Sequence, residues 1–368
     1  MKPEEADLFV IDRPRARHHL RAVWAGGRLP LANDGSGNDV MQPRPSCLLL
    51  TAVAAGLALL AACGSATSQG FPSSTVKIIV PNPAGGTADA LPRIIADALG
   101  SVWKQAVVVE NRPGAAGNVG AESFSRAPAD GYTLLASPPT TLAINQSLYK
   151  KLNYDATKFK PVTVLGSSPN VLIVSPKLGV STVKELIEKA KADAGAIAYG
   201  SQGVGSTGHL TAALFETMAG VKFNHVPYRG TAPAMNDLVG GHILFMFDNM
   251  SSSLPQHQAG TLKIIAVCTP ERSPYLPDVP TMAEAALPGF ASITWFGLVA
   301  PADTPDVIVA EINKAVVGVL KTEEVRKKFL AHGAEPIGNT PQEMATFMER
   351  ERARWGSVIE KAQLKAPE

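Results

Sequence analysis

The sequence has few cysteines, few aromatic residues and almost no net charge. Its 368 residues include three cysteines, 6% aromatic residues and a formal net charge of +2 at pH 7. Cys47 and Cys63 lie in or beside an apolar N-terminal run, so Cys268 is the single cysteine of the body that follows. An internal disulfide is therefore excluded there, and Cys268 is predicted to be a small core residue. Basic and acidic residues are interspersed, which argues against a nucleic-acid partner.

Motifs of the common enzyme classes are absent as well. Val204 stands where the nucleophile motif G-x-S-x-G around Ser206 requires glycine, and no phosphate-binding G-x-x-x-x-G-K-[ST] motif occurs. The five histidines of the body are scattered singly, without an H-E-x-x-H motif or cysteine neighbours. We therefore expect no catalytic residues, no metal site and no cofactor, and an extracytoplasmic enzyme is kept only as a rival hypothesis.

One apolar run, CLLLTAVAAGLALLAA, stands near the N-terminus at residues 47–62. It is shorter than the roughly 20 residues that a membrane-spanning helix needs, and it has the layout of a secretory signal. The run ends in Leu60-Ala61-Ala62-Cys63-Gly64, which resembles the lipoprotein motif whose cysteine is lipidated. An ordinary cleavage site with an incidental cysteine and an uncleaved anchor are the alternatives.

The N-terminal region is therefore divided into three parts. Residues 1–40 lack apolar periodicity and a short basic start, whereas Met41 begins the short segment Met41-Gln-Pro-Arg-Pro-Ser before the apolar run, so residues 1–40 are predicted to be outside the natural product or disordered. Residues 41–63 are predicted to be a lipoprotein-type signal peptide ending at Cys63, and residues 64–70 a linker. Lipidation of Cys63 would be the membrane attachment.

From residue 71 onward, short β-type runs alternate with helical patterns, which is typical of an α/β fold. The predicted strands are Thr75–Val80, Val107–Glu110, Thr133–Ala136, Val171–Val174, Ile197–Tyr199, Asn224–Val226, Ile243–Phe247, Lys263–Val267 and Gly297–Ala300. Predicted helices include Ala88–Leu99, Val307–Leu320, Glu323–His332 and Pro341–Gln363. Because no low-complexity linker interrupts the body, its domains are expected to be joined by crossing strands, as in a hinged clamp.

Three helix starts are predicted from local chemistry. Thr182 with Glu185 and Thr340 with Glu343 have the spacing of a capping box, in which each side chain accepts a hydrogen bond from the other residue's backbone. The segment Thr304-Pro305-Asp306 follows the same logic, with proline in the first helical turn.

Many ordered segments of the body resemble one family. They are IIVPNPAGGTADALPR, VVVENRPGAAGNVGAE, DGYTLL, GSTGHL, HVPYRGTAPAMNDLVGG, FMFDNM, LPDVPTMAEAALPGF and WFGLVAP. From about Phe71 to the C-terminus the chain is similar to the Bug-type solute receptors of tripartite tricarboxylate transporters.

The resemblance implies a type II periplasmic-binding-protein fold, with two α/β domains joined by crossover strands and a ligand cleft between them. Domain 1 would comprise residues 71–170 and 293–368, and domain 2 residues 171–292. It further implies a monomeric periplasmic receptor that binds a small organic carboxylate by hinge closure and delivers it to membrane subunits. A receptor that presents its ligand to a sensor kinase would need the same clamp, and the identity of the carboxylate stays open.

The first candidate binding segment follows a strand and opens a helix. Its residues are Ala84, Gly85, Gly86, Thr87 and Asp89. Backbone N–H groups there can converge on an anion while the helix dipole adds positive charge. Alternatively the glycines only make a turn, Thr87 caps the helix, and Asp89 compensates the dipole.

The second candidate segment, residues 203–209, also lies between a strand and a helix. It matches G-x-G-x-x-G, but Phe223-Asn224-His225 lacks the acid that a dinucleotide's ribose would require at that distance. By resemblance the loop faces the cleft, which makes Ser206 and Thr207 candidate hydroxyl and N–H donors. His209 is interpreted as a helix-start residue rather than a ligand contact.

The remaining candidates follow other strands. Tyr228, Gly230 and Ala232 surround a third strand-to-helix turn. Arg229 in this turn is expected to point to solvent, and an ion pair with a diacid ligand is the alternative. Asp248 follows an apolar strand, where it would contact an anion only if protonated or bridged by water, and capping of the next helix is the alternative. Ser137, Thr140 and Asn145 border the cleft by resemblance, and Trp295-Phe296 is either a cleft wall or core.

Overall fold

The computed structural model describes residues 70–366. The predictions for residues 1–69, including the signal peptide and lipidation of Cys63, lie outside the described residues. Within the described part, no helix combines the length and apolarity needed to cross a bilayer.

The described residues form a mixed sheet with helices packed on it, so the α/β prediction is confirmed. The strands are β1 (Val76–Val80), β2 (Val107–Asn111), β3 (Thr133–Ser137), β4 (Lys160–Val174), β5 (Ala198–Ser201), β6 (Asn224–Pro227), β7 (Phe245–Asn249), β8 (Lys263–Val267), β9 (Ile293–Ala300) and β10 (Glu335–Pro336). Their order is β2-β1-β3-β9-β4-β7-β5-β6, and β8 and β10 also pair with β4.

The long strand β4 joins two groups of strands. Its first part pairs with β9 and β10, and its last part pairs with β7 and β8. Only Val171–Val174 was predicted, because Gly166, two serines and Pro169 make the first part look like a turn. β9 pairs with β3 and with the first part of β4, and the chain reaches it from β8 in the other group. The chain thus passes between the two groups within β4 and again just before β9, and we refer to β4 and β9 as the crossover strands.

Separate apolar cores lie on the two groups of strands. One core packs β1, β3 and the first part of β4 against helices and includes Val76, Leu91 and Phe296. Others pack the last part of β4 against β7 and β8 and include Leu172, Phe247 and Met246. Cys268 is fully buried in one of them, as predicted, and burial raises the pKa of its thiol.

The helices follow the strands with mostly short loops. They are α1 (Thr87–Trp103), α2 (Asn118–Ser125), α3 (Asn145–Leu148), α4 (Val183–Ala192), α5 (Thr207–Ala219), α6 (Thr231–Gly240), α7 (Met250–Gln258), α8 (Met282–Ala285), α9 (Asp306–Leu320), α10 (Glu323–Ala331) and α11 (Pro341–Lys361).

The predicted helix starts have three different outcomes. Thr340 and Glu343 form the complete capping box of α11, as predicted. Thr182 accepts from the Glu185 backbone, but the Glu185 carboxylate accepts from Ser181, so that box is one-sided. The prediction for Thr304 is wrong, because Pro305 occupies the N-cap position of α9 without a side-chain cap and the buried Thr304 hydroxyl has no partner in the described region.

Candidate functional site

A cavity of about 450 Å³ lies where four segments of the fold meet. Its lining residues come from the starts of α1, α6 and α7 and from the loop after α10, and they are Gly85, Gly86, Thr87, Ala90, Thr231, Ala232, Met235, Asn236, Ser251, Ser252 and His332. The size is in the range typical of small-molecule sites. His332 is the one titratable side chain in this lining, and none of these residues is Lys, Arg, Asp or Glu.

The three helices that begin at the cavity have no side-chain caps. Their N-cap residues are Gly86, Gly230 and Asn249, and none of these accepts a hydrogen bond from the first turn of its helix. Elsewhere in the described fold the starts of α4, α5, α8, α10 and α11 are capped by Thr182, Ser206, Thr281, Thr322 and Thr340, whereas the starts of α2, α3 and α9 also lack a side-chain cap but do not line the cavity. The first-turn N–H groups of three helices are thus left for an anion, which the positive ends of the helix dipoles also favour.

The buried side chain of Asp89 holds the loop before α1 in place through hydrogen bonds. Its buried carboxylate accepts hydrogen bonds from Gly85 N–H (3.1 Å), Arg93 Nε (2.9 Å) and Asn111 Nδ2 (2.9 Å). Burial acts to raise the pKa of Asp89, but these hydrogen bonds hold the pKa below its ordinary value. The carboxylate therefore uses its hydrogen bonds on groups of the protein itself, and Asp89 does not line the cavity. Ala84 lies exposed one residue before the lining begins.

Residues from opposite sides meet around the cavity. The hydroxyl groups of Thr87 and Ser251 are hydrogen-bonded. A Cβ atom placed on Gly230 would lie 3.4 Å from Pro83 Cγ. Gly230 also has φ 105, which favours glycine, so small residues let these loops approach each other closely.

A similar approach occurs at the second candidate loop. A Cβ atom on Gly205 would lie 2.5 Å from Leu148 Cδ2, which leaves no room for another residue. The Gly205 N–H donates to His209 Nδ1 at 3.2 Å, and His209 stacks on His225 with ring centroids 4.1 Å apart. Burial lowers the pKa of His209 to about 3 and that of His225 to about 4, so this pair is neutral at pH 7. His209 supports the loop, which agrees with its interpretation as a helix-start residue.

Asp248 is completely buried at the end of β7. Gln202 Nε2 donates to its Oδ1 at 2.6 Å, whereas no hydrogen bond of good geometry reaches its Oδ2 within the described residues. Burial is the main cause that raises the pKa of Asp248 to about 7. The Asn249 N–H and the Ser253 and Thr231 side chains still lie near enough to act, with Gln202, to lower this pKa. The side chain is therefore partly protonated near neutral pH. It does not cap α7, whose N-cap is Asn249.

Several predicted residues do not line this cavity. The Ser137 hydroxyl contacts Thr141 Oγ1 at 2.7 Å, and Thr140 is buried at the start of an irregular helical turn. The Tyr228 hydroxyl donates to Asp237 at 2.6 Å. Ser206 caps α5, and the Thr207 hydroxyl lies 2.8 Å from that of Thr294.

Three further candidates can be placed. Asn145 donates to Ala116 O and to Asn118, while its Oδ1 has no partner in the described part. Trp295 and Phe296 are core residues, since both are almost fully buried. Of the site prediction, Gly85, Gly86, Thr87 and Ala232 meet at the cavity, and Gly230 adjoins it. Arg229 is exposed, as expected.

The cavity also contains residues that the sequence did not indicate. Thr231 and Asn236 lie inside one of the segments that carry the family resemblance, and Ser251 and Ser252 follow the end of β7, so these positions could have been found from the loop pattern. His332 carries no local signal, because tertiary packing brings it to the cavity. No group of three metal-ligating side chains occurs between residues 70 and 366.

Comparison with known sequences identifies one family. Residues 91–364 match the tripartite tricarboxylate transporter family receptor, TctC. Protein BugT of Bordetella pertussis is 34% identical over 313 residues, which cover 84% of this chain and 96% of BugT. A protein encoded in the tcbD-tcbE intergenic region of Pseudomonas sp. strain P51 is also 34% identical, over 85% of this chain and 95% of its own length.

Solved structures agree on the same family. R. palustris Rpa4515 with adipate has 40% sequence identity and a TM-score of 0.78, covering 80% of this chain and 99% of that chain. MatC from Rhodopseudomonas palustris with bound malate has 32% identity and a TM-score of 0.74, covering 78% and 100%. The periplasmic binding protein BugD has 32% identity and a TM-score of 0.75. The chain therefore has the two-domain fold of the periplasmic solute-binding proteins and belongs to the tripartite tricarboxylate transporter receptor family, as its resemblance to the Bug-type receptors implied.

Proposed function

We propose that this protein captures a small organic carboxylate in the cavity and delivers it to the membrane subunits of a tripartite transporter. The observation that carries the proposal is the convergence of three uncapped helix N-termini, at Gly86, Gly230 and Asn249, on one cavity. Each terminus supplies unpaired N–H donors and a partial positive charge, so together they favour an anionic group.

The composition of the cavity favours a carboxylate held by backbone and hydroxyl groups. Thr87, Thr231, Ser251 and Ser252 supply hydroxyl groups, and no lining residue supplies a permanent positive charge. The related Rpa4515 was solved with adipate and MatC with malate, which supports an aliphatic acid as the ligand class. Because the family is a receptor family, we propose that the protein binds without catalysis.

The proposed mechanism is hinge closure between two domains. Residues 71–170 and 293–368 would form domain 1, residues 171–292 would form domain 2, and β4 and β9 would bend between them. Domain 1 would bind the carboxylate first at the start of α1, and domain 2 would then bring the starts of α6 and α7 over it. Candidate residues outside the cavity, such as Ser206 and Asp248, would act by supporting these loops or after a small rearrangement.

The proposed setting is the periplasm. We propose that lipidated Cys63 is the membrane anchor and that the receptor acts as a monomer, with the family relationship as the support for an extracytoplasmic location. Mass spectrometry of the purified protein would test the anchor, since lipidation adds diacylglycerol and removes the preceding residues. An unmodified N-terminus at or after residue 64 would overturn it.

The function is tested by a thermal-shift panel on the purified protein. The panel contains adipate, malate, hexanoate, aspartate, benzoate and nicotinate, with adipamide as the uncharged match to adipate. A ligand at one hundred times its Kd stabilises the folded state by about 2.7 kcal/mol, so we expect at least one acid to raise Tm while adipamide does not. If no acid raises Tm, and native mass spectrometry detects no co-purified acid, the carboxylate proposal is wrong.

A further inference from the structure

A closed network of buried side chains lies at the point where β4 leaves one group of strands for the other. Asn170 is its central member. The last residue pair between β4 and β9 is Pro169 with Ile293, and the first pair between β4 and β7 is Asn170 with Asn249. Asn170 thus stands where the crossover strand changes its partner.

The Asn170 amide joins both crossover strands to α5. Its Nδ2 lies 2.8 Å from Ser292 Oγ and 3.3 Å from Thr211 Oγ1, and its Oδ1 accepts from Thr294 at 3.0 Å. The hydroxyl oxygens of Thr294 and Thr207 are 2.8 Å apart, and Thr211 donates to the Thr207 carbonyl at 2.7 Å. Ser292 and Thr294 flank the start of β9, and Thr207 is the first residue of α5.

Hydroxyl groups link the remaining members of the network. A hydroxyl group donates one hydrogen bond, and the Thr294 proton has two acceptors within reach, Asn170 Oδ1 at 3.0 Å and Thr207 Oγ1 at 2.8 Å. The hydroxyl oxygens of Thr211 and Ser292 are 2.5 Å apart. The start of β9 is therefore joined both to Asn170 and to the first residue of α5.

The network is buried and complete. Asn170, Thr211 and Ser292 are fully buried, and Thr294 is 1% exposed. Fully satisfied buried networks are rigid, and removing one member leaves other buried polar groups without partners, which destabilises the region around them. The nearby Gln202 Oε1 and Asp248 Oδ2, which no hydrogen bond of good geometry reaches, show that such completeness is not general in this region of the described fold.

We propose that Asn170 is a positioning residue that makes the ends of the two crossover strands that meet at Asn170 move as one unit with the N-terminus of α5. Bending would then fall on the other side of Asn170, in the part of β4 that pairs with β9. The consequence for binding rests on the proposed function, because it requires the Gly203–Ser206 loop to face the ligand. The coupled movement of the strand ends and α5 does not depend on the proposed function.

The test compares matched variants of the ligand-free protein by hydrogen exchange. Thr294→Val removes one hydroxyl from β9 with little change of shape, and Asn170→Ala removes the centre. Thr163→Val is the control, since Thr163 is an equally buried residue of β4 whose hydroxyl lies 2.8 Å from Asn339 O, outside the network. We expect exchange of the amides of residues 207–211 to become roughly tenfold faster in Thr294→Val, the factor that about 1.4 kcal/mol of local stability represents, and to stay unchanged in Thr163→Val.

The ligand readout separates the two proposals. If exchange at residues 207–211 in Thr294→Val matches the control, or rises equally throughout the chain, the coupling is wrong even if Asn170→Ala fails to fold. If exchange changes as expected and the wild type binds an acid, Thr294→Val should bind that acid more weakly than Thr163→Val. Expected exchange together with no acid binding by the wild type would uphold the coupling and reject the carboxylate function.

Discussion

At the scale of single residues, burial decides the charge of Asp248. Its carboxyl group is fully buried, no hydrogen bond of good geometry reaches one of its oxygens within the described fold, and its pKa is raised to about 7. In the unfolded chain an aspartate has a pKa near 3.9. Between these two values the folded protein binds more protons than the unfolded protein, so the free energy of unfolding falls as pH rises from about 4 to about 7.

Asp248→Asn should remove this pH dependence, because the amide does not ionise. One pKa unit corresponds to about 1.4 kcal/mol, so relative to wild type the variant should gain roughly 2–3 kcal/mol of unfolding free energy between pH 5 and pH 8. Urea unfolding at both pH values measures the difference. Asp278→Asn, at an exposed aspartate, is the control. An equal difference between Asp248→Asn and wild type at both pH values would contradict the assigned burial effect.

Site residues could be predicted where the pattern that marks them lies within a few neighbouring residues, and not where packing brings distant residues together. Gly86 and Thr87 were found because a strand, two glycines and a helix follow one another in the sequence. The inward role of Asp89 was missed in part because Asn111 arrives from β2, 22 positions along the chain. His332 was missed because only the packing of the loop after α10 against α7 brings it to the cavity, where a Cβ atom on Gly333 would lie 3.1 Å from Ser251 N.

At the scale of secondary-structure elements, some helix N-termini are capped by their own side chains, whereas those at the cavity are left open to a ligand. Helices capped by Ser or Thr satisfy their own first-turn N–H groups, as the capping box at Thr340 does for α11. The uncapped starts of α1, α6 and α7 leave those groups for a ligand. Capping is readable from residues three apart, whereas the shared cavity depends on the order of strands in the sheet, which no local pattern specifies.

A size series at Gly86 tests the start of α1. Gly86 has φ −101, which any residue adopts, and a Cβ atom there would lie 3.9 Å from Thr231 Oγ1. Gly86→Ala should therefore fold and bind, whereas the larger Gly86→Val and Gly86→Leu should fold but lose binding, because their side chains extend into the cavity. Titration calorimetry with the acid found in the panel measures binding, and Tm reports folding.

The neighbouring glycine supplies the contrast. Gly85 has φ 94, so Gly85→Ala is strained by about 1–2 kcal/mol even though a Cβ atom there would meet nothing within 4 Å. This variant should lower Tm more than Gly86→Ala does. Wild-type affinity in Gly86→Leu would show that the ligand binds elsewhere.

At the scale of the whole molecule, β4 and β9 connect the two groups of strands, so a movement of one group relative to the other must bend these two strands. The extent of β4 could not be predicted, since Gly166 and Pro169 resemble turn residues until the pairing with β9 and β10 is known. The two-domain fold was nevertheless predicted from the many ordered loops that resemble one family. Short-range patterns thus identified the elements, and the resemblance supplied their arrangement.

The Thr87–Ser251 hydrogen bond joins the two proposed domains beside the cavity and should form only when the clamp is closed. Removing it would then disfavour closure and weaken ligand affinity by roughly 2–10-fold, the range that corresponds to about 0.5–1.5 kcal/mol for one hydrogen bond. Because Thr87 also lines the cavity, the contact is isolated by a double-mutant cycle of Thr87→Val and Ser251→Ala, followed by calorimetry. The double variant should lose little more affinity than either single variant, since each already breaks the contact. Strictly additive losses would mean that the two hydroxyl groups act independently and that this contact takes no part in closure.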